Sequence, residues 1–243
     1  MAKYEIKDGV GIIPEGTKNI ESWAFQYSTE LTRVVIPDSV TGIGEGAFYG
    51  CTGLTSIVIP DSVTKIGNYV FNGCTGLTGI VIPNSVTLIE GAFTDCTGLT
   101  SIVIPDSVKE IGVCVFKGCT GLTSVVIPDS VSKIEAGAFE GCTGLTSIVI
   151  PDSVENIGNL AFRACTGLTS IVIPDSVEKI GNRAFRGCTG LTSIVIPDSV
   201  KKFGDDVFDE CTNLEAINVP AKKINYYKEH LPEELHSLIK PIN

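Results

Sequence analysis

One stretch of 23 residues, Cys51 to Gly73, recurs along most of this chain and constrains its fold more than any other feature. It reads CTGLTSIVIPDSVTKIGNYVFNG, and close copies of it follow one another. The copies from this one onward begin at Cys51, Cys74, Cys96, Cys119, Cys142, Cys165 and Cys188. Self-similarity at a fixed period of 20–50 residues predicts a solenoid, in which each coil packs only on its neighbours. We therefore predict a single repeat domain spanning residues 1–243.

The two ends of the array differ from its middle, as terminal repeats of a solenoid usually do. Residues 1–27 form a degenerate capping repeat, and we expect Trp23 to cover its open end. Residues 28–210 hold eight regular repeats. Residues 211–243 hold a final strand and a C-terminal cap of one or two short amphipathic helices, the second opened by Pro232.

Within one repeat, the segment LTSIVI alternates as a strand does, so Ile57 and Ile59 point inward while Ser56 and Val58 point outward. The residues Pro-Asp-Ser at 60–62 end this strand because proline cannot donate to a ladder and aspartate and serine favour turns. About ten residues remain, too few for a full helix and its loops. We predict a parallel sheet on a concave face, turns, 3-10 helix or short strands on the convex face, and right-handed coils.

Two columns of identical residues should fill the core. Eight cysteines share one repeat position, and strand spacing would place them in a row of buried, reduced thiols rather than disulfides. They are Cys51, Cys74, Cys96, Cys119, Cys142, Cys165, Cys188 and Cys211. The ninth, Cys114, is off this register and should be more exposed. Phenylalanine forms a second column, at positions 25, 48, 71, 93, 116, 139, 162, 185 and 208. One repeat is a residue short, between Cys74 and Cys96.

Composition excludes several classes of function. The net charge of −10 and the pI near 4.7 argue against nucleic acid, which needs clustered lysine and arginine. The sequence contains no apolar run of 18 residues and no apolar segment near residue 1, so we expect neither a transmembrane helix nor a signal peptide. Hydrophobic residues make up 43% of the chain, which is enough for a continuous core.

The outward positions of the strands form the candidate binding surface, since a solenoid presents an extended face. A serine row and a valine row should lie side by side there, preceded by a row of threonines. The residues that we select are Arg33, Thr55, Ser56, Val58, Ser101, Val103, Ser124, Val126, Ser147, Val149, Ser170, Val172, Ser193 and Val195. The alternative is a face that serves strand formation alone, because it lacks the aromatic residues of typical binding hot spots.

An aspartate row follows the strands, at Asp38, Asp61, Asp106, Asp129, Asp152, Asp175 and Asp198, with Asn84 in the same column. Like charges at strand spacing could bind Ca²⁺. Local turns, in which each carboxylate accepts hydrogen bonds from its own backbone, are the favoured interpretation. Arg163, Arg183 and Arg186 make a small basic patch on the back, which we expect to be ordinary solvated charge.

Catalysis has little support in the sequence. The two histidines, His230 and His236, lie only in the predicted cap, so no Cys–His or Ser–His–Asp arrangement can be placed in the repeats. No phosphate-binding loop and no zinc-protease motif occurs. We predict a protein that is not an enzyme and that uses no cofactor or metal.

The repeat pattern C-x-x-L-x-x-I-x-I-P-x-S-V-x-x-I-G-x-x-A-F resembles BspA-like leucine-rich repeats, also described as the Treponema type. The resemblance covers about residues 5–220, or ten repeats. It implies a protein of the bacterial cell surface, or a secreted one, that binds host proteins, matrix or other cells. The expected function is protein binding or adhesion without nucleic acid binding or membrane insertion. The alternative, suggested by the near-identical repeats, is a structural or engineered scaffold with no ligand of its own.

Overall fold

The computed structural model describes residues 3–242, so the ends of the predicted domain at 1, 2 and 243 lie outside the described residues. It shows a solenoid of parallel strands, numbered β1 to β19 along the chain. The first strand is β1 (Ile6–Lys7), which pairs antiparallel with the first strand of the front sheet. The front strands are β2 (Val10–Ile12), β4 (Arg33–Val35), β6 (Ser56–Ile57), β8 (Gly79–Val81), β9 (Ser101–Val103), β11 (Ser124–Val126), β14 (Ser170–Val172), β16 (Ser193–Val195) and β18 (Ala216–Pro220).

Shorter strands line the back of the coils and end in turns. They are β3 (Asn19–Ile20), β5 (Gly42–Ile43), β7 (Lys65–Ile66), β10 (Glu110–Ile111), β12 (Lys133–Ile134), β13 (Asn156–Ile157), β15 (Lys179–Ile180) and β17 (Lys202–Phe203). The predicted parallel sheet is therefore confirmed, and of the forms predicted for the convex face the structure shows short strands and turns.

Neighbouring coils pair in register, so each repeat position forms a straight row. Ser170 pairs with Ser193 and Val172 with Val195, and the coil between β11 and β14 joins the front sheet through bridges at Val149. The coil that is one residue short forms β8 but no back strand within its fully described residues 74–95. The missing residue thus divides the back strands into two sheets, β3-β5-β7 and β10-β12-β13-β15-β17.

The phenylalanine column forms a continuous stack through the core. Successive rings lie 5.3–5.9 Å apart between centroids and are nearly parallel, tilted by 1–21°. All nine rings are fully buried among the leucine, isoleucine and valine columns. Offset stacking at this distance is favourable beyond the burial of apolar area. The rings therefore fill the centre of the coils and contact one another along the whole array.

The eight cysteines of the column are free and buried, which confirms the predicted thiol row. Each thiol donates to the backbone carbonyl of a phenylalanine one coil earlier, with sulfur–oxygen distances of 3.0–3.1 Å. Burial raises the pKa of these thiols, to about 12 for Cys142 and Cys188 and to about 11 for Cys211. Cys114 is only half-buried.

The N-terminal end is covered by Tyr4 rather than by Trp23. The Tyr4 ring stacks on Phe25 with a centroid distance of 5.5 Å, and β1 folds back antiparallel on β2. Trp23 instead lies over Gly46 of the next coil and packs 5.8 Å from Tyr49. The prediction that Trp23 caps the array is therefore wrong, because its side chain is directed toward the next coil.

The C-terminal end carries the predicted helices and one further strand. A 3-10 turn (Ala221–Lys223) leads into α1 (Ile224–His230), and a second 3-10 segment (Glu233–Leu238) opens at Pro232. Tyr227 of α1 is fully buried and meets Phe203 edge to face at 5.3 Å. The chain then forms β19 (Ile239–Ile242), which pairs parallel with β18 and closes the edge of the front sheet.

Candidate functional site

The valine row is the most exposed apolar feature of the front sheet. Its eight side chains are 42–79% exposed, and Ile12 of β2 extends the row by one coil at 41%. The members are Val35, Val58, Val81, Val103, Val126, Val149, Val172 and Val195. Strand alternation produces the row, since the isoleucine or valine on either side of each member points into the core. The structure thus places Val58, Val103, Val126, Val149, Val172 and Val195 where the sequence predicted them.

The serine row lies beside the valine row and is exposed in the same way. Its predicted members are Ser56, Ser101, Ser124, Ser147, Ser170 and Ser193, and Arg33 occupies the same column in the second coil. Thr55 differs from them, because its hydroxyl donates to the Thr32 carbonyl of the preceding coil at 3.3 Å. The Thr55 hydroxyl therefore helps to join coils, whereas the serine side chains are directed to solvent.

The aspartate row lies at the edge of this surface. Its carboxylates do not accept the predicted hydrogen bonds from the backbone of their own turns. The backbone itself closes each turn, as when the Val63 N–H donates to the Pro60 carbonyl at 3.0 Å. Ser62 ties the turn to the preceding coil by donating to the Val40 carbonyl at 2.7 Å. No hydrogen bond from residues 3–242 reaches the Asp61 carboxylate. The interpretation as Asx-type turns is therefore wrong, and the side chains stay in solvent.

Metal binding by the aspartate row finds no geometric support in the described part of the chain. No group of three or more His, Cys, Asp or Glu side chains there converges as metal ligands would. A row of strands separates neighbouring carboxylates by about one strand spacing of ~4.8 Å and points them the same way, instead of around a common centre.

The last member of the row is the exception, because the cap neutralises it. The Lys222 ammonium lies 2.6 Å from a carboxylate oxygen of Asp198. This hydrogen bond and the two positive charges of Lys222 and Lys223 hold the pKa of Asp198 below its ordinary value. The C-terminal cap thus places basic side chains against one end of the acidic row.

The basic patch on the back is neutralised by acidic residues of neighbouring coils. Arg163 pairs with Glu140 at 2.6 Å, and Arg183 pairs with Asp206 at 3.0 Å. Arg186 reaches Glu210 at 2.6 Å. These pairs join residues that are 23 or 24 positions apart, so they link one coil to the next. The surface there carries balanced charge and does not form a basic site.

An aromatic patch on the back near the N-terminus was not predicted from the sequence. Trp23, Tyr27 and Tyr69 are exposed, and Tyr27 meets Tyr49 edge to face at 5.4 Å. All three exposed residues have left-handed backbone conformations with φ near +60°. Aligning the repeats by column would have shown the signal, because glycine occupies the matching positions in several other coils.

Neither histidine of the chain is arranged for catalysis. The Nδ1 atom of His230 lies 2.8 Å from the Tyr226 carbonyl, and the Nε2 atom of His236 lies 3.0 Å from the Leu231 carbonyl. Both rings are therefore engaged by the backbone of the cap. The fold and its surface define a repeat protein-interaction module, with a core of repeated columns and an extended front sheet free to meet a partner.

Comparison with protein families identifies the chain more closely. The family described as BspA type leucine-rich repeat region matches residues 11–123 and 109–232. The chain therefore belongs to this family, as the repeat pattern predicted. No curated protein matches the sequence.

Two solved structures of bacterial proteins, with TM-scores above 0.5, show the same fold. A protein from Eubacterium ventriosum is 20% identical, with 84% of this chain and 83% of that chain covered and a TM-score of 0.51. The pneumococcal vaccine antigen PcpA is 22% identical, with 83% and 67% covered and a TM-score of 0.54. A leucine-rich repeat protein from Bacteroides ovatus is 27% identical, with 95% and 83% covered and a TM-score of 0.46. No helix within residues 3–242 is long and apolar enough to cross a membrane.

Proposed function

We propose that this chain is a non-enzymatic binding and adhesion module of a bacterial cell-surface or secreted protein. Its front sheet binds a host or matrix protein, and the residues that meet the partner are those of the serine and valine rows. One observation carries the proposal: eight successive coils expose a valine at the same position, 42–79% open to solvent. Extended exposed apolar patches mark sites of protein interaction.

The rest of the coil supports this assignment, because few of its other residues are available to contact a partner. Leucine, isoleucine, cysteine and phenylalanine are used in the core, and the back-face charges near Arg163 and Arg183 are paired with acids. Neighbouring strands of the front sheet also pair in register, so each coil is fixed to the coils before and after it. A partner would therefore meet a surface that is already formed and has little conformational entropy to lose.

A panel of purified extracellular matrix proteins tests the proposal by biolayer interferometry at micromolar concentration. The front-face variant carries Ser124→Arg, Ser147→Arg and Ser170→Arg, because Arg33 shows that this column accommodates arginine. The back-face control carries Thr41→Lys, Thr64→Lys and Thr87→Lys, since Lys109 and Lys201 occupy that column naturally. Both variants gain three positive charges.

We expect at least one matrix protein to bind the unmodified chain and the back-face control equally, and the front-face variant at least tenfold more weakly. Absence of binding across the panel would favour the alternative of a structural or engineered scaffold. Equal loss of binding in the two variants would also contradict the proposal, because the front sheet would then have no special role.

A further inference from the structure

The strip of the front sheet between the valine row and the aspartate row is called the groove here. Val126 and Asp129 are three residues apart, which corresponds to about 10 Å of extended chain across the groove. Near the C-terminus the groove is lined by Val172, Val195 and Asp175, among others. One side of the groove is therefore apolar and the other is acidic in the same coils.

Four successive members of the aspartate row carry charge that the chain does not balance. Asp106, Asp129, Asp152 and Asp175 are exposed, and none forms an ion pair within residues 3–242. Their strands lie about 4.8 Å apart, well inside the Debye length of ~8 Å at physiological salt, so the carboxylates repel one another. Some acids on the back of the coils, such as Glu140 and Asp206, are by contrast paired with arginine.

The cap of this chain shows how such a groove is filled. Lys222 lies 2.6 Å from Asp198, and the Lys223 ammonium donates to the Val200 carbonyl at 2.9 Å. Pro220 and Ile242 line the same groove beside Val195. Val195 is accordingly 42% exposed, compared with 73% for Val126. A basic segment with apolar residues therefore already occupies the end of the groove.

We propose that the open part of the groove binds a cationic, partly apolar polypeptide segment of another protein. Lysine or arginine side chains of that segment pair with the four unbalanced aspartates, and its apolar side chains cover the valines beside them, Val103, Val126, Val149 and Val172. The inference rests on the proposed function, because it names the chemistry of the partner for the same face. Charge pairs of this kind speed association and give selectivity.

A fluorescent ten-residue peptide, KKIIKKIIKK, is the probe, because an extended chain of this sequence carries lysine and isoleucine on each face. The comparison peptides are EEIIEEIIEE, which reverses the charge, and KKSSKKSSKK, which removes the apolar groups. We expect the first peptide to bind at least tenfold more tightly than either comparison peptide. Its affinity should fall at least tenfold between 50 mM and 500 mM NaCl, as screening of charge pairs requires.

Matched variants locate the binding. The test variant changes Asp106, Asp129, Asp152 and Asp175 to Asn, which the native Asn84 shows to fit this turn. The control changes four exposed acids away from the front sheet by the same charge, namely Glu45→Gln, Asp95→Asn, Glu155→Gln and Asp205→Asn. Thermal melts establish that both variants are folded. The first should lose at least tenfold in affinity for KKIIKKIIKK, and the control less than twofold.

A third variant changes Val103, Val126, Val149 and Val172 to Thr, which keeps a strand-forming side chain. It should bind KKIIKKIIKK at least fivefold more weakly and KKSSKKSSKK unchanged. Equal losses in the aspartate variant and its control would overturn the inference, and so would equal affinity for the two lysine peptides. If no lysine peptide binds while a matrix protein still depends on the serine row, the inference fails and the proposed function stands.

Discussion

The thiol of Cys142 donates to the carbonyl oxygen of Phe116 at a sulfur–oxygen distance of 3.0 Å. Burial raises the pKa of this thiol to about 12, whereas an exposed cysteine in the unfolded chain titrates near 8.5. Between about pH 9 and 11 the unfolded chain has lost this proton and the folded chain keeps it. The stabilisation is therefore full below about pH 8.5 and is lost as the pH rises toward 12.

This linkage predicts a steep loss of stability in alkali. Each buried thiol lowers the free energy of unfolding by about 1.4 kcal/mol per pH unit within that window. Cys142→Ala removes one titrating group, so its urea unfolding free energies should fall less steeply from pH 9 to 11 by about that amount. Cys114→Ala, at a half-buried position, should change the slope less. Identical slopes for Cys142→Ala and the unmodified chain would refute a buried, protonated thiol row.

Thiol labelling distinguishes the ninth cysteine from the other eight. Cys114 is half-buried, while the cysteines of the column are buried. Under native conditions an aromatic disulfide reagent should label about one thiol per chain quickly, and Cys114→Ala should abolish that fast phase. All nine should react in denaturant. Fast labelling of several thiols in the native Cys114→Ala variant would show that the column is open to solvent.

The phenylalanine stack should make a large contribution to stability at each position. Phe116 is buried and lies 5.8 Å from Phe93 and 5.4 Å from Phe139. Truncation of a buried phenylalanine removes its burial and leaves a cavity, so Phe116→Ala should cost about 3–5 kcal/mol in chemical denaturation. Phe116→Leu keeps part of the volume and should cost less. A cost below about 1 kcal/mol for Phe116→Ala would mean that the stack is not the core.

The columns of the coil were predictable because each repeat gives independent evidence for the same position. Nine phenylalanines and eight cysteines at one spacing identify buried rows, and the serine and valine rows follow from strand alternation. The repeat pattern does not predict whether a side chain points toward the preceding coil or the following coil along the solenoid axis. Trp23 occupies a back-face column, but only the three-dimensional structure shows that its ring is directed toward Gly46 instead of the open end.

Contacts between unlike residues of one column, and contacts between the cap and the array, were not predicted from the sequence. The arginines near Arg163 form pairs with acids one coil away, which a search for local charge clusters does not find. The strand β19 contains Pro241, a residue that is unfavourable inside a sheet, and it lies at the edge of the front sheet, where proline is tolerated. The sequence predicted that the aspartates lie in one row at the turns. It did not predict that backbone hydrogen bonds close each turn without the carboxylates.

Replacing each of two glycines by alanine tests whether the Trp23 ring lies over Gly46. Gly46 has φ near +56°, and a methyl group there would overlap the Trp23 ring. Gly79 lies in β8 with no atom within 4 Å of the space a methyl group would fill. Gly46→Ala should therefore destabilise by more than about 1 kcal/mol, whereas Gly79→Ala should be neutral or stabilise by up to about 1 kcal/mol in thermal unfolding. Equal effects would contradict the placement of Trp23.

Whether the exposed valine row meets the partner is tested by methyl NMR of the valine side chains during titration with the matrix protein that binds most tightly in the panel. The chain supplies its own reference, since eight further valines of the same repeats are buried: Val40, Val63, Val86, Val108, Val131, Val154, Val177 and Val200. Binding at the front sheet should shift or broaden the signals of the exposed valine row and leave those of the buried valines in place. Changes confined to the buried valines or to the back-face Val113, with none in the exposed row, would contradict it.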